Sequence, residues 1–382
     1  MNKVLLTGAT GYVGSALAAA FLARGTSLVV LSRDDPDGER TESAILAAAE
    51  GFGLDIAHQL GQHLQVVNAD FSDLEHCVPP ALVADVQAAW HCAAQMSYSP
   101  NKLASSFEVN VGYSTRLYRL LAQAAPQLQR FYYVSTAYVA GMQGGHVPEA
   151  LHGAVRLINP YQVSKWSAEH ALHLEHRANG VPLTLFRPSI VIGHRESGWT
   201  ARNGFGFYMF ADALRAFSAA GYDHLTVDLK GDVRPDLVPV DQLVADAVGL
   251  TVREGQAQRA PFEVFHCGTG LSLTTHELIQ QMGEASGVRL SFGRPLPTME
   301  QKFARATEVN MPFANTQWQF SRELLDRALC RPAPPLPMTR ADHARQVGWY
   351  FGLTPGLSPS LNPGLDAGTA AAHAAQPPAM AD

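Results

Sequence analysis

The most constraining feature lies near the amino terminus. A short apolar run, KVLLT, leads straight into TGATGYVGSALAAAFLARG, where Gly8, Gly11 and Gly14 stand between a strand-like and a helix-like segment. Glycine at these points lets the backbone turn tightly and approach a bound group closely, and the helix that follows offers unpaired amides and the positive end of its dipole. A strand, a G-x-x-G-x-x-G turn and an Ala-rich helix make a pyrophosphate cradle, and such a cradle belongs to a parallel sheet.

The rest of the first half agrees. SLVVLS, LQVVNA, AAWHCA, RFYYVS and LTLFRPSIV read as strands, with STRLYRLLAQAA and YQVSKWSAEHALHLEHRANG as helices between some of them. That alternation predicts an α/β chain with a Rossmann-type, doubly wound parallel sheet and helices on both faces. After Gly193 the pattern loosens. NGFGFYMFADALRAFSAAG, VPVDQLVADAVGLTVREG and SLTTHELIQQMGEASG read as helices and FEVFHCG as a strand, with Thr274 and Glu277 forming a capping box. The expected organisation is a dinucleotide-binding domain over 1–193, rejoined by 236–270, and a smaller substrate-binding α/β subdomain over 194–235 and 271–353. The segment 354–382, rich in Ala, Pro, Gly and Ser, reads as a disordered tail, of which 356–382 is expected to be dispensable for catalysis.

Composition excludes several classes. With 47% hydrophobic residues in 382 and a net charge of -6, the chain carries no lysine or arginine block suited to nucleic acid or an anionic membrane. Its apolar runs are too short to span a bilayer. Four widely spaced cysteines, Cys77, Cys92, Cys267 and Cys330, and no signal peptide suggest reduced thiols and a cytoplasmic protein. His170, His173 and His176 recur every three residues, but such ligands spiral around a helix, so no metal site is expected.

Two features bear on chemistry. The second strand ends in LSRDDPDGER, where an acidic residue would hold the adenosine ribose hydroxyls. Here Arg33 is the first charged residue, and its planar fork suits a 2′-phosphate, which points to NADP(H). A cofactor-facing Asp34 would weaken that reading; Arg40 is either a second phosphate ligand or a solvated loop charge. In INPYQVSKWSAEH, Tyr161 precedes Lys165 by one helical turn, with Asn159 and Pro160 suited to the cap and first turn. Such residues lie on one helix face, roughly 5–6 Å apart at Cβ. A neighbouring ammonium favours phenolate, so Lys165 is expected to lower the Tyr161 pKa.

Together these residues resemble the extended short-chain dehydrogenase/reductases over about residues 3–290. The resemblance implies cofactor contacts from Thr7, Gly8, Thr10, Gly11, Tyr12, Val13 and Gly14, from Arg33 and Arg40, from Asp70 and Phe71 in NADFSD, and from Ala93 and Ala94 in HCAA. It adds Asn110, which steadies the active-site helix, Tyr161 and Lys165, and Pro188, Ser189 and Ile190 in the loop over the nicotinamide. In VSTAYVAG the position matching the family's hydroxyl residue is Thr136, not Ser135. STAYVAG, Glu149, NPYQVSKWSAE, RPSIVIG and LVPVDQLVADAV are more narrowly similar to the thioester reductases, the branch of fatty acyl-CoA reductases and terminal reductase domains of peptide and polyketide synthetases. NVGYST replaces that branch's N-V-x-G-T, a departure that re-registers a helix.

The resemblance implies carbonyl reduction in which Tyr161 is the general acid, Thr136 a second donor, and Lys165 a partner of both Tyr161 and the nicotinamide ribose. The expected substrate is an acyl thioester, reduced by NADPH to an aldehyde and in some relatives to the alcohol. With no adenylation or carrier domain in view, that thioester is expected as a CoA ester or on a separate carrier protein. The same residues would serve a ketone or hydroxysteroid reductase or a sugar-nucleotide epimerase. A non-catalytic dinucleotide-binding regulator is disfavoured by the Tyr–Lys pair, and Arg33 argues mildly against an epimerase. His91 reads as a packed residue beside the cofactor. Phe205, Phe207, Tyr208 and Phe210 suit either an acyl pocket, bordered by Phe205, Phe207 or Tyr208, or ordinary core. Arg195, Arg202 and Arg234 suit either a phosphopantetheine phosphate or scattered surface charge. Acyl chain, carrier and oligomeric state stay open.

Overall fold

The computed structural model describes residues 3–200, 206–253, 259–294, 299–331 and 333–353. Arg202, Phe205 and the segment 354–382 lie outside the described residues.

Seven strands form one sheet: β1 (Lys3–Thr7), β2 (Ser27–Ser32), β3 (Leu64–Asn68), β4 (Val86–His91), β5 (Arg130–Val134), β7 (Leu183–Pro188) and β11 (Phe262–Cys267). β6 (Gly145–Val147), β8 (Ile190–Ile192), β9 (His224–Val227), β10 (Leu237–Pro239), β12 (Arg289–Phe292) and β13 (Trp318–Phe320) lie outside it. The order is β3-β2-β1-β4-β5-β7-β11, and every pairing is parallel. β1, β2 and β4 are buried on both faces, which is why they read as continuous apolar runs. Chain order reverses between β1 and β4, the place where open α/β sheets bind ligands beyond their strand ends.

The Ala-rich helix Tyr12–Ala23 covers one face with Leu17 and Phe21, sharing a core with Val30 and with Leu243 and Ala247 of the helix Val240–Val252. On the other face Leu117 and Leu121 of the helix Ser114–Ala124 pack with Ala168 and Leu172 of the helix Pro160–Asn179. The segment NVGYST does re-register its helix: a π-helical stretch, Glu108–Tyr113, precedes Ser114.

LTLFRPSIV, expected as one strand, divides at Ser189. The Ser189 amide donates to the Cys267 carbonyl at 2.9 Å and its hydroxyl to Asp236 at 3.2 Å. β7 therefore ends in the main sheet, while β8 leaves it to pair with β10. Beyond this switch lies a third core, built from the helices Tyr208–Ala219 and Thr275–Ser286 with Phe303 and Tyr350. The Thr274–Glu277 capping box opens the second of these helices.

Candidate active site

The cradle forms from contiguous chain. Gly8 adopts φ +75°, and a Cβ there would stand 2.6 Å from the Ala93 amide nitrogen. A Cβ on Gly14 would stand 2.1 Å from the Gly8 carbonyl oxygen. Both positions therefore need glycine for close approach of backbone to backbone. Gly11 caps the helix Tyr12–Ala23 without a side-chain bond, and no acidic residue stands in the first turn. Its amides and dipole end suit an anion. Thr10 and Gly11 are exposed and Val13 half-buried. The Tyr12 side chain is spent on another contact: its hydroxyl donates to the Ile192 carbonyl at 2.9 Å, and its ring lies 5.1 Å from that of Trp199. Thr7 is buried; its hydroxyl accepts from the Ala93 amide at 3.2 Å and lies 2.7 Å from His91 Nδ1. His91 Nε2 lies 2.9 Å from the Ser114 hydroxyl, so His91 is a packed residue.

Beyond β2, Arg33 is exposed and pairs with Asp34 at 3.3 Å, while Arg40 donates to the Arg33 carbonyl. Asp34 adopts φ +54° and is also exposed. Asp35 turns the other way, buried, accepting from the Arg40 and Thr41 amides and from the Thr41 hydroxyl at 2.6 Å. Asp70 is exposed; hydrogen bonds from the Ser72 hydroxyl and amide, then the nearby Arg33 and Arg116, lower its pKa. Phe71 is buried and stacks on Tyr113, over which Arg116 sits at 5.9 Å. Tyr113 and Arg116 escaped the sequence reading, because only the turn of the helix brings them beside Asp70.

Asn159 accepts from the Gln162 amide at 2.8 Å and caps the helix Pro160–Asn179, with Pro160 in its first turn. Asn110 is buried. It accepts from the Gln95 amide at 2.8 Å and donates to the Gln95 carbonyl at 3.0 Å and the Ser164 hydroxyl at 2.9 Å, so it fastens this helix to the loop after β4. The Thr136 side chain hydrogen-bonds Tyr161 and accepts from the Tyr138 amide. The Ser135 hydroxyl is buried without a partner among the described residues.

The electrostatics differ from the expectation. The Tyr161 phenol is pushed up by burial and by neighbouring Tyr98, with only the Thr136 hydrogen bond acting downward. Lys165 does not lower it. The Lys165 ammonium, fully buried, donates to the Val134 carbonyl at 2.7 Å and sits 4.2 Å over the Tyr133 ring. Burial lowers its own pKa to about 7, opposed by Glu169 and then Cys92. Desolvation is the largest cause of both shifts, and neither residue is a cause of the other's.

Sequence reasoning also missed Glu169, one further turn along the helix. Its carboxylate pairs bidentately with Arg187 at 2.8 and 2.6 Å, both side chains at 0% exposure. Arg187 stands just before Pro188, Ser189 and Ile190 in chain order, so this ion pair joins the Tyr–Lys helix to that turn. The repeat 161, 165, 169 on one helix face was the available signal.

Tyr161 and Ile190 both line a pocket whose walls include Phe207, Phe210, Leu278 and Phe313. Tyr208 packs elsewhere: its hydroxyl accepts from the Gly193 amide and its ring stacks on Tyr350 at 4.5 Å. Arg195 is committed to Asp342 and to the carbonyls of Leu336 and Pro337, and Arg234 donates to the Ser272 carbonyl. His170 and His176 bond to the carbonyls of Trp166 and Val181, while His173 lies against Phe262. Among the described residues there is no cluster of three metal-ligating side chains, and no helix long and apolar enough to cross a membrane.

Residues 6–247 match the NAD-binding family described as male sterility protein, and the chain belongs to that family. A family of this kind takes a nicotinamide dinucleotide, and the close backbone approach and acid-free helix end of the glycine cradle fit such a group. The chain is 29% identical over 275 residues to an isonitrile lipopeptide synthase of Streptomyces coeruleorubidus, covering 68% of this chain and 17% of that protein. It is 26% identical over 316 residues to fatty acyl-CoA reductase 1 of Mus musculus, covering 72% and 59%. The fold is that of the terminal R domain from the myxalamid PKS-NRPS biosynthetic pathway, with a TM-score of 0.70 at 20% identity over 93% of this chain and 92% of that one. The fold is that of the extended short-chain dehydrogenase/reductases, and the chain spans less than two thirds of the length of either the synthase or the acyl-CoA reductase.

Proposed function

We propose that this protein uses NADPH to reduce an acyl thioester, presented as a CoA ester or on a separate carrier protein, to the aldehyde, with the alcohol as the product of a second reduction. The observation that carries this reading is the apolar pocket bordered by Tyr161. An acyl chain held there keeps its carbonyl beside the phenol, and predominantly apolar pockets with a few polar groups are the usual form of ligand sites. The names of the relatives support the same class of substrate.

When bound, the cofactor supplies a hydride to the carbonyl carbon. Tyr161 passes its proton to the carbonyl oxygen, and the Thr136 hydroxyl, already bonded to Tyr161, holds that oxygen as a second donor. The resulting thiohemiacetal breaks its C–S bond, giving aldehyde and free thiol. A phenol kept protonated by burial suits the acid role. Lys165, protonated below about pH 7, returns a proton to Tyr161 and reaches the nicotinamide ribose. Gly8, Gly11 and Gly14 with the helix amides hold the pyrophosphate, Arg33 with Arg40 the 2′-phosphate, and Asp70 and Phe71 the adenine. Ala93, Ala94, Asn110, Pro188, Ser189 and Ile190 shape the rest of the cofactor channel. In this proposal 1–193 with 236–270 form the dinucleotide-binding part, and 194–235 with 271–353 the substrate part.

NADPH oxidation measured across a panel of acyl-CoAs, with trapping of the aldehyde, tests the reading. Reduction of a simple ketone but of no thioester would replace it with a ketone reductase.

A further inference from the structure

Among the described residues, the polar side chains of the pocket are Tyr98, Tyr138, Tyr161, Gln162, Thr275 and Asn310; the remaining lining is apolar. Most of this polarity is already spent. Gln162 donates to the Tyr138 carbonyl at 2.9 Å and accepts from the Ile158 amide at 3.0 Å. The Thr275 hydroxyl bonds to the carbonyls of Val233 and Ala314. The Asn310 amide donates to the Gly206 carbonyl at 2.9 Å. Tyr161 has Thr136.

Tyr98 and Tyr138 are different. Their rings are fixed: Tyr98 stands edge-on to Tyr161 with centroids 6.4 Å apart, and Tyr138 is held near-perpendicular to Phe313, Trp318 and Phe320 at 5.1–5.7 Å. Yet neither hydroxyl has a hydrogen-bond partner among the described residues. Both residues are half-buried and neither hydroxyl is a fully buried unpartnered atom, so each meets water in the pocket, and a ligand that displaces that water without supplying an acceptor loses the bond. Two rigid phenols at one end of an apolar pocket are therefore spare recognition capacity.

We propose that Tyr98 and Tyr138 form a second hydrogen-bonding subsite, selecting acyl groups with an uncharged oxygen acceptor (keto, hydroxy or amide) close to the thioester carbon and an apolar chain beyond. The proposal rests on the thioester reading above. The subsite lies near the reacting carbon because Tyr98 faces Tyr161 and because Tyr138 is tied through its carbonyl to Gln162, the next residue after Tyr161. Its preference is for neutral groups. Burial pushes both phenols up, and the nearby Asp236 pushes Tyr138 further, so both remain protonated donors. Among the described residues no cation lines the pocket to hold an anionic substituent.

The test compares kcat/KM for octanoyl-CoA, decanoyl-CoA, 3-hydroxyoctanoyl-CoA and 3-oxo-octanoyl-CoA with NADPH and the full chain. The expected result is about tenfold or greater preference for an oxygenated octanoyl chain over the plain one, since a site built to bond an oxygen rejects the analogue lacking it. Tyr98→Phe and Tyr138→Phe remove no bond within the described protein and should fold normally. Each should collapse that preference while keeping the decanoyl-to-octanoyl ratio. Equal efficiency of plain and oxygenated chains in the unmodified protein overturns this proposal alone. So does an equal loss on all substrates in both variants. Reduction of none of the thioesters overturns the thioester reading and this proposal with it.

Discussion

The glycine cradle and the apolar pocket beside Tyr161 differ in how much chain each needs. The cradle is complete between Thr7 and Ser15, closed by the bonds Gly11 to Gly8 and Ser15 to Gly11, with Ala93 the distant neighbour it touches closely. The pocket draws its wall from Tyr98, from the helix Pro160–Asn179, from Phe207 and Phe210, and from as far along as Ala314. One is a backbone device, sensitive to a single added carbon. The other is a side-chain device, in which the far wall tolerates changes of size but the end at Tyr161 depends on two or three polar atoms. The Tyr–Lys helix lines the pocket through Tyr161 and faces His91 and Cys92, beside the cradle's neighbour Ala93, through Lys165, which makes it the place where the comparison can be broken.

The largest expected effect is at that junction. Tyr161→Phe should lower turnover by roughly 10²–10⁴-fold, the usual contribution of a positioned proton donor. Cofactor affinity, read by fluorescence titration, should hold. Appreciable turnover by the variant would take the acid role from Tyr161 and leave the pocket without a link to the chemistry.

Next is the cradle itself. Gly14→Ala puts a carbon 2.1 Å from the Gly8 carbonyl oxygen, so the turn must open. Dinucleotide affinity should fall by about tenfold or more, roughly 1.4 kcal/mol per factor of ten, with circular dichroism unchanged. Unaltered affinity would show that the turn gives way without cost and that the cradle is less rigid than the pocket.

Arg33→Ala sharpens the contrast within the cofactor side. Losing one charge-assisted bond should reduce the NADPH-over-NADH preference by about tenfold. An unchanged ratio would transfer the discrimination to Arg40 and Arg116. Equal affinity of the unmodified protein for both cofactors would remove the NADPH assignment.

The smallest effect is a change of pH profile. Burial has already pulled Lys165 down to about 7, and Glu169 opposes that fall. The groups facing the ammonium are Glu169 on its own helix, His91 at the end of β4 with Cys92 after it, and Tyr133 with the Val134 carbonyl on β5. Without the Glu169 carboxylate the lysine loses its proton at lower pH, so Glu169→Gln should move the basic limb of the rate profile downward, and activity should return on acidification. A loss that is the same at every pH would make the Glu169–Arg187 pair purely structural. Because the variant leaves a buried Arg187 unpaired, Glu169→Gln/Arg187→Met serves as the stability control.

Much of this protein was legible in its sequence because the signals are short-range. The glycine spacing, the cap at Asn159 and Pro160, the one-turn separation of Tyr161 and Lys165, and the apolar runs of the central strands all act within a few residues. The break at Ser189 was not legible. It depends on Asp236 and Cys267, which the chain brings there only after crossing to another sheet. Nor could sequence choose between Phe207 and Tyr208, adjacent residues of which one lines the pocket and the other packs on Tyr350.

The sequence by itself determined the sheet, the cradle and which helix carries the phenol and the ammonium, since backbone geometry and helical periodicity are local properties. Tertiary structure alone decided their protonation and their surroundings. Spacing suggested a lysine that lowers a tyrosine; packing buried both, so the Tyr161 pKa rises and that of Lys165 falls to about 7. Desolvation depends on everything the fold stacks around a group, and no window of neighbouring residues contains it.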